Sequence, residues 1–198
     1  MIRIIETSPL QIMRYLLIFL LLGSMGLQAQ NKSGITGKPD TSFTNYSALK
    51  MVSKQDPTIR LAEVQSSKSK VQSFVYKTLG TRKLVVDEYA VSSTNKLPTL
   101  VFFHGGGWRT GHRSQHIPLA KALADRGYRV FLVEYRLSTE ALYPAAMLDA
   151  QAALQWVSKR KNVGEIYVGG YSAGGQMAAL LGSVQEENTY GKGVKVAG

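Results

Sequence analysis

The pattern of apolar and polar positions changes sharply near residue 71. Residues 30–70 are mostly polar and contain several glycines and prolines, which is typical of a polar linker or a covering N-terminal arm. Beyond them, two apolar-rich runs at 73–79 and 83–91 are separated by Gly80 and predict an antiparallel hairpin. The pattern therefore predicts an arm or linker followed by a folded domain at 71–198.

Short apolar runs then alternate with helical spacing along the rest of the chain. Residues 99–103 read TLVFF and residues 128–135 read YRVFLVEY, both typical of strands buried on two faces. A third, short strand is predicted at 165–169. The spacing of apolar residues predicts helices at 117–126, 145–161 and 173–186. Strands separated by helices indicate an α/β fold, with a mostly parallel sheet covered by helices on both faces.

The start of the chain has the order of a secretory signal peptide. Residues 15–22 read YLLIFLLL, follow Arg14 and precede a series of small residues that ends at Ala29. This apolar run is too short to span a bilayer comfortably. We expect a signal peptide at 1–29 cleaved after Ala29, a secreted or periplasmic location and no stable membrane insertion after cleavage. An uncleaved anchor is the alternative, and Met13 is a second candidate start besides Met1.

Charge and cysteine content exclude several classes of function. The chain has a net charge of +11 and no cysteine, so a disulfide framework, thiolate chemistry and a Cys-ligated metal are excluded. Much of the charge lies between residues 31 and 83, dispersed among small polar residues. A nucleic-acid-binding surface would instead place basic and aromatic residues together on one folded face. We therefore predict a solvated extension and no nucleic-acid partner.

The segment GYSAG at 170–174 matches the pattern Gly-x-Ser-x-Gly. It follows a predicted strand and opens a predicted helix, a position in which a sharp turn exposes the serine hydroxyl. Glycine at 170 and 174 keeps side chains out of this turn, and the helix N-terminus favours a developing negative charge. We interpret Ser172 as a candidate catalytic nucleophile, flanked by Gly170 and Gly174. A glycine-rich turn with an ordinary serine is the alternative.

A second glycine-rich segment, HGGGW at 104–108, directly follows the TLVFF strand. Acyl transfer develops negative charge on the carbonyl oxygen of the substrate, and backbone N–H groups placed around that oxygen stabilise it. Glycine lets a main chain approach closely enough to provide them. The predicted oxyanion-hole donors are Gly106 or Gly107 and Ala173, with motif support from His104, Gly105 and Trp108. A flexible turn is the alternative.

These motifs together resemble the hormone-sensitive-lipase-like and carbohydrate-esterase branch of the α/β-hydrolases, which includes acetyl xylan and feruloyl esterases. The similarity runs from about residue 73 to residue 198 and depends on HGGGW, EYRLS, PAAMLDAQAALQWV and GYSAGG in the family's order. It implies a sheet of about eight strands, a Ser, Asp/Glu, His triad in that chain order, and ester hydrolysis without a cofactor or metal. It also implies structural roles for Tyr135, Arg136 and Asp149.

The histidines do not fit the order that the resemblance implies. A serine nucleophile needs a general base oriented by a carboxylate, but all three histidines precede Ser172. We interpret His104 as an anchor of its loop, and His112 and His116 as surface or capping residues. Residues 194–198 read like the opening of a further strand. We therefore expect a C-terminally truncated hydrolase of five or so strands with little esterase activity.

Three hypotheses of function remain open. The first is a carboxylic ester hydrolase acting on small-molecule or polysaccharide-linked esters, such as acetyl or feruloyl groups. The second is a catalytically inactive product that acts at most as a binding or vestigial module. The third is a secreted serine peptidase-like hydrolase. In each case truncation predicts a bare sheet edge beside the strand of Ser172, with a tendency to aggregate.

Overall fold

The computed structural model describes residues 35–60, 66–183 and 193–198, so the candidate signal peptide at 1–29 lies outside the described residues. The described residues contain one sheet of five strands. These strands are β1 (Lys70–Leu79), β2 (Arg82–Ala90), β3 (Leu97–Phe103), β4 (Arg129–Val133) and β5 (Val163–Gly170). Their spatial order is β1-β2-β4-β3-β5.

Four α-helices and one 3₁₀-helix accompany the sheet in the described part of the chain. They are α1 (Asn45–Val52), the 3₁₀-helix Arg113–His116, α2 (Ile117–Ala124), α3 (Ala145–Ser158) and α4 (Ala173–Ser183). Helix α3 is shorter than predicted, and the left-handed φ of 62° at Asn162 turns the chain into β5. None of the helices in the described ranges combines the length and apolar content needed to cross a bilayer.

Strand directions confirm the predicted hairpin and the mostly parallel sheet. Strand β2 is antiparallel to both of its neighbours, β1 and β4, whereas β3 is parallel to β4 and β5. Four of the five described strands therefore run in one direction. Because β3 lies between β4 and β5, the loops that follow these three strands leave the same edge of the sheet.

Alternating side chains along the central strands divide the core between the two faces of the sheet. Val101 and Phe103 of β3 pack on the face covered by α3 and α4. Phe102 and Leu132 pack on the opposite face, together with apolar residues of α2. Helices therefore cover both faces, as the alternation of strands and helices predicts.

Residues 194–198 lie along the outer edge of β5. The amide of Ala197 donates to the carbonyl oxygen of Ile166 at 2.7 Å, and the amide of Val168 donates to the carbonyl oxygen of Gly198 at 2.8 Å. The side chains of Val194 and Val196 are buried. The prediction of a bare edge beside the strand of Ser172 is therefore wrong at these positions, because this segment satisfies backbone groups of β5.

Residues 36–46, which we call the N-terminal arm, are held against the domain. The amides of Thr36 and Gly37 donate to the carbonyl oxygen of Thr139 at 2.8 and 2.9 Å. The arm ends in helix α1, which buries no side chain and whose N-cap, Thr44, accepts from the amide of Ser47. Residues 36–46 therefore contact the domain, although most side chains of residues 35–60 are exposed.

Asp149 of α3 links three parts of the fold through one buried carboxylate. It accepts from Lys77 Nζ at 2.7 Å and from Arg136 Nε and Nη2 at 2.7 and 2.9 Å. It also accepts from the amide of Arg136 at 3.1 Å. Strand β1, helix α3 and the segment after β4 are thereby joined close to the edge from which the motif loops leave.

Replacing Asp149 by Ala should lower the free energy of unfolding by roughly 3 kcal/mol, because two cations lose their shared partner. Urea denaturation monitored by circular dichroism measures this change. Glu165→Ala is the control, since the exposed Glu165 carboxylate accepts, among the described residues, only from the hydroxyl of Tyr167. That control should change the stability by less than about 0.5 kcal/mol. Similar small losses in both variants would contradict the prediction.

Candidate active site

Ser172 lies at the turn between β5 and α4, where its side chain is exposed. Its φ of 49° is left-handed, a conformation that costs a non-glycine residue about 1–3 kcal/mol. Within the described residues its hydroxyl makes no hydrogen bond to protein. The turn is closed by the amide of Gly174, which donates to the carbonyl oxygen of Tyr171 at 2.8 Å. The strained and exposed position is the one that the Gly-x-Ser-x-Gly pattern predicts.

The two glycines of this turn have no space for a side chain. A Cβ at Gly170 would overlap the backbone of Gly174. A Cβ at Gly174 would overlap the carbonyl oxygen of Phe103 and lie 2.6 Å from that of His104. Glycine is therefore required at 170 because of the turn itself, and at 174 because the helix begins against the end of β3.

The loop that follows β3, which we call the glycine loop (residues 104–111), contacts this turn directly. A Cβ at Gly105 would lie 2.9 Å from the carbonyl oxygen of Tyr171 and 3.5 Å from Cβ of Ser172. Gly106, Gly107 and Trp108 then adopt positive φ values of 123°, 61° and 57°. The structure thus brings the two predicted motifs together through a contact between main chains.

Several amides of the two motifs have no protein acceptor in the part of the chain that the structure describes. Within the described residues, the N–H groups of Gly106, Gly107 and Ala173 donate no hydrogen bond. Ala173 is the first residue of α4, and the first amides of a helix have no intrahelical partner. Near an exposed serine, such amides are suited to bind an oxygen that carries negative charge.

His104 anchors the start of the glycine loop. Its side chain is only 2% exposed, its Nδ1 lies 2.8 Å from the carbonyl oxygen of Gly105, and its ring stacks on Tyr135 at 4.4 Å. The hydroxyl of Tyr135 donates to the carbonyl oxygen of His104 at 2.7 Å. Burial lowers the pKa of His104 to about 4, so the imidazole is neutral at pH 7.

The other two histidines also make contacts away from Ser172. His112 caps the 3₁₀-helix, because its Nδ1 accepts from the amide of Ser114. His116 stacks on Tyr171, with ring centroids 5.2 Å apart, and burial lowers its pKa to about 4. His116 occupies the N-cap position of α2, but its side chain makes no capping hydrogen bond, and its ring instead packs against the residue that precedes the serine.

A network of charged residues behind the glycine loop is not singled out by the sequence analysis. Arg113 Nε pairs with Asp87 of β2 at 2.7 Å, and its Nη1 pairs with Glu134 at 3.2 Å. Glu134 also pairs with Arg82 at 2.8 Å. The order of strands brings these residues together from distant positions, and no local pattern marks them.

The segment after β4 holds the far end of HGGGW. The amide of Ser138 donates to the carbonyl oxygen of Trp108 at 2.7 Å. The ring of Trp108 packs against the larger of the two core clusters. Together with the bond from Tyr135 to His104, this contact attaches both ends of the motif to the neighbouring loop. EYRLS therefore supports the site without contributing a group near Ser172.

Residues 86–196, which make up more than half of the chain, match the protein-family model described as BD-FAE. The matched range includes the second half of β2, all of β3 to β5, the glycine loop, the turn at Ser172 and α4. Every site residue predicted from the sequence lies within it.

The individual proteins that this chain resembles are named as esterases. Over 99 residues the chain is 36% identical to carboxylesterase NlhH of Mycobacterium tuberculosis, in an alignment that covers 47% of this chain and 31% of that protein. A hyperthermophilic esterase from Pyrobaculum calidifontis matches with a TM-score of 0.51 and 34% identity, over 56% of this chain and 38% of that chain. Esterase 2 of Thermogutta terrifontis, phosphonylated by cyclosarin, matches with a TM-score of 0.51 and 27% identity. This match covers 60% of this chain and 47% of that chain. The chain thus spans about a third of the curated relative and less than half of each solved structure.

Gly174→Ala should lower the free energy of unfolding by roughly 2 kcal/mol, because the added methyl group forces the start of α4 away from β3. Gly182→Ala in the same helix is the matched control. Its Cβ would make only an ordinary contact, 3.7 Å from Val168 Cγ2, so we expect no loss or a gain of up to about 1 kcal/mol. Urea denaturation compares the two variants. Equal effects would show that the helix start has room for a side chain.

The stability of the chain should decrease as the pH falls from 6.5 towards 4, because the folded state keeps His104 neutral while the unfolded chain takes up a proton. The variant His104→Gln cannot titrate and should lose less stability. Between pH 6.5 and 5 we expect a difference on the order of 1 kcal/mol between the two proteins. Urea denaturation at both pH values measures it. Equal losses of stability in the two proteins would mean that His104 takes up a proton in the folded state as readily as in the unfolded chain.

Proposed function

Because the chain belongs to the BD-FAE family of α/β-hydrolases, we propose that it carries the nucleophile and the oxyanion hole of a carboxylic ester hydrolase. In this proposal Ser172 is the nucleophile, and the amides of Gly106 or Gly107 and Ala173 are the oxyanion-hole donors. The observation that carries it is the contact of an exposed, strained serine with a glycine loop in which the amides of Gly106 and Gly107 have no acceptor among the described residues.

The proposed reaction proceeds through an acyl-enzyme. Ser172 Oγ attacks the carbonyl carbon of the ester, and the carbonyl oxygen becomes an oxyanion that accepts hydrogen bonds from the backbone donors. The C–O bond to the alcohol then breaks, the alcohol departs with the proton lost by the Ser172 hydroxyl, and an acyl-serine remains. Water then attacks the acyl group, which releases the acid and regenerates the hydroxyl. The N-terminus of α4 adds a favourable dipole to both charged intermediates.

Within the described residues, none of the three histidines of this chain hydrogen-bonds to Ser172. His104 and His112 bond within their own loops, and the ring of His116 stacks on Tyr171 with its Nε2 buried and unpaired among the described residues. This observation favours a second candidate function for the chain as given, a module that presents the site without turnover.

The names of the relatives support an ester as the substrate. NlhH is named a carboxylesterase, and the Thermogutta protein is an esterase phosphonylated by cyclosarin. We propose that this chain acts on carboxylic esters that are small or linked to polysaccharide. We also propose that Ser172 reacts with organophosphonates. We likewise propose a secreted or periplasmic location, because residues 1–29 contain a charged, an apolar and a small-residue segment in the order of a signal peptide.

A fluorophosphonate probe tests the site by comparing two exposed serines of the same chain. Ser172 precedes α4 and Ser183 ends it, so peptide mass spectrometry can follow both positions in one sample. We expect Ser172 to be phosphonylated about 100-fold faster, because oxyanion-hole donors stabilise the charge that develops on the phosphoryl oxygen. Labelling of both serines at the same rate would overturn the proposal.

Hydrolysis of a short-chain aryl ester separates the two candidate functions. Turnover that depends on Ser172, measured against Ser172→Ala, would support the ester hydrolase. Preferential phosphonylation of Ser172 together with equal hydrolysis by both proteins would instead support the module without turnover.

A further inference from the structure

The N-terminal arm is bound to the segment that directly follows HGGGW. The carbonyl oxygen of Asp40 accepts from the amide of Gly111 at 3.0 Å and from Thr110 Oγ1 at 2.9 Å. Thr110 Oγ1 in turn accepts from the amide of Phe43 at 3.1 Å. A single threonine side chain therefore bonds to the arm twice.

A second pair of hydrogen bonds lies beside the first. Asn45 Nδ2 donates to the carbonyl oxygen of Gln115, and Gln115 Nε2 donates to the carbonyl oxygen of Phe43, both at 2.8 Å. All these bonds join positions about seventy residues apart in the sequence. The arm is thus attached at both ends of residues 110–115.

Thr110 and Gly111, which bind the arm, also contact Gly105 and Gly106 at the start of the glycine loop. The amides of Arg109 and Thr110 both donate to the carbonyl oxygen of Gly106 at 3.1 Å. A Cβ at Gly106 would overlap the carbonyl oxygen of Thr110. A Cβ at Gly111 would overlap the carbonyl oxygen of Gly105. Thr110 and Gly111 therefore lie between the arm and the candidate oxyanion-hole donors.

The glycine loop has little intrinsic preference for this conformation. Positive φ values occur at Gly106, Gly107, Trp108 and Gly111, and glycine populates many backbone conformations at similar energy. Hydrogen bonds from outside the loop therefore decide which conformation is occupied. Tyr135 and Ser138 provide them on one side, and the arm provides them at Thr110 and Gly111.

We propose that the N-terminal arm is a positioning element of the oxyanion hole, with Thr110 as the positioning residue through which it acts. The inference rests on the proposed function of Ser172 and the glycine loop. Loss of the arm contacts should leave the sheet intact, because no core residue belongs to the arm. It should broaden the range of conformations that the donors at Gly106 and Gly107 adopt.

The substitution Thr110→Val in the full chain tests this role, because it removes the hydroxyl that bonds twice to the arm and keeps the shape of the side chain. Thr99→Val is the matched control: Thr99 is a buried threonine at the opposite end of β3, and its hydroxyl donates to the carbonyl oxygen of Leu97. Asn45→Ala is a second variant on the arm itself, so the test does not depend on the folding of one protein.

Two readouts are measured on each variant, after circular dichroism has shown that it is folded. Hydrogen exchange reports the amides of Arg109 and Gly111, and fluorophosphonate labelling reports the reactivity of Ser172. We expect Thr110→Val and Asn45→Ala to exchange these amides at least tenfold faster and to be labelled about tenfold more slowly, since a donor displaced by about 1 Å loses much of its effect. Thr99→Val should match the unsubstituted chain in both.

The outcomes separate the two proposals. Unchanged exchange and unchanged labelling in both arm variants would overturn the role of the arm. Failure of the unsubstituted chain to label Ser172 would overturn the proposed function, and the exchange measurement would still decide whether the arm fixes the loop. Faster exchange with unchanged labelling would show that the arm orders the loop without affecting the donors, which also overturns the proposal.

Discussion

The candidate site depends on the close approach of two main-chain segments that leaves no space for side chains. The start of α4 lies against the carbonyl groups at the end of β3, and Gly105 lies against the turn that carries Ser172. Any residue other than glycine at 105 or 174 would push these segments apart, because its Cβ would lie 2.9 Å or less from a backbone carbonyl oxygen. Because oxyanion-hole donors act only within hydrogen-bonding distance, that separation would remove their effect.

The sheet order makes this approach possible. Strand β3 lies between β4 and β5, so the glycine loop leaves the sheet between two neighbouring loops. One of them provides Ser172, and the other provides Tyr135, which stacks on His104 and hydrogen-bonds its carbonyl oxygen. Burial of His104 keeps its pKa near 4, so this anchor is uncharged at neutral pH. The glycine loop is thus held by neutral contacts that do not compete for a developing negative charge.

Local chemistry explains why part of the molecule could be predicted from the sequence. Alternation of apolar residues and the glycine-rich motifs are properties of short segments, and they correctly indicated the hairpin, the alternating strands and helices, and the pairing of HGGGW with GYSAGG. The contacts of the arm could not be predicted in this way, because the main acceptor is the backbone carbonyl of Asp40, a group that every residue has. Helix α1 buries no side chain, and Thr44 at its N-cap is the signal that could have indicated it. The position of His116 beneath Tyr171 depends on how distant loops pack.

A crystal structure of the chain with Ser172 phosphonylated would test the central claim most directly. The account predicts that the phosphoryl oxygen lies about 2.7–3.1 Å from the backbone nitrogen of Ala173 and from that of Gly106 or Gly107. An adduct whose oxygen points into solvent, beyond hydrogen-bonding distance of all three amides, would contradict it.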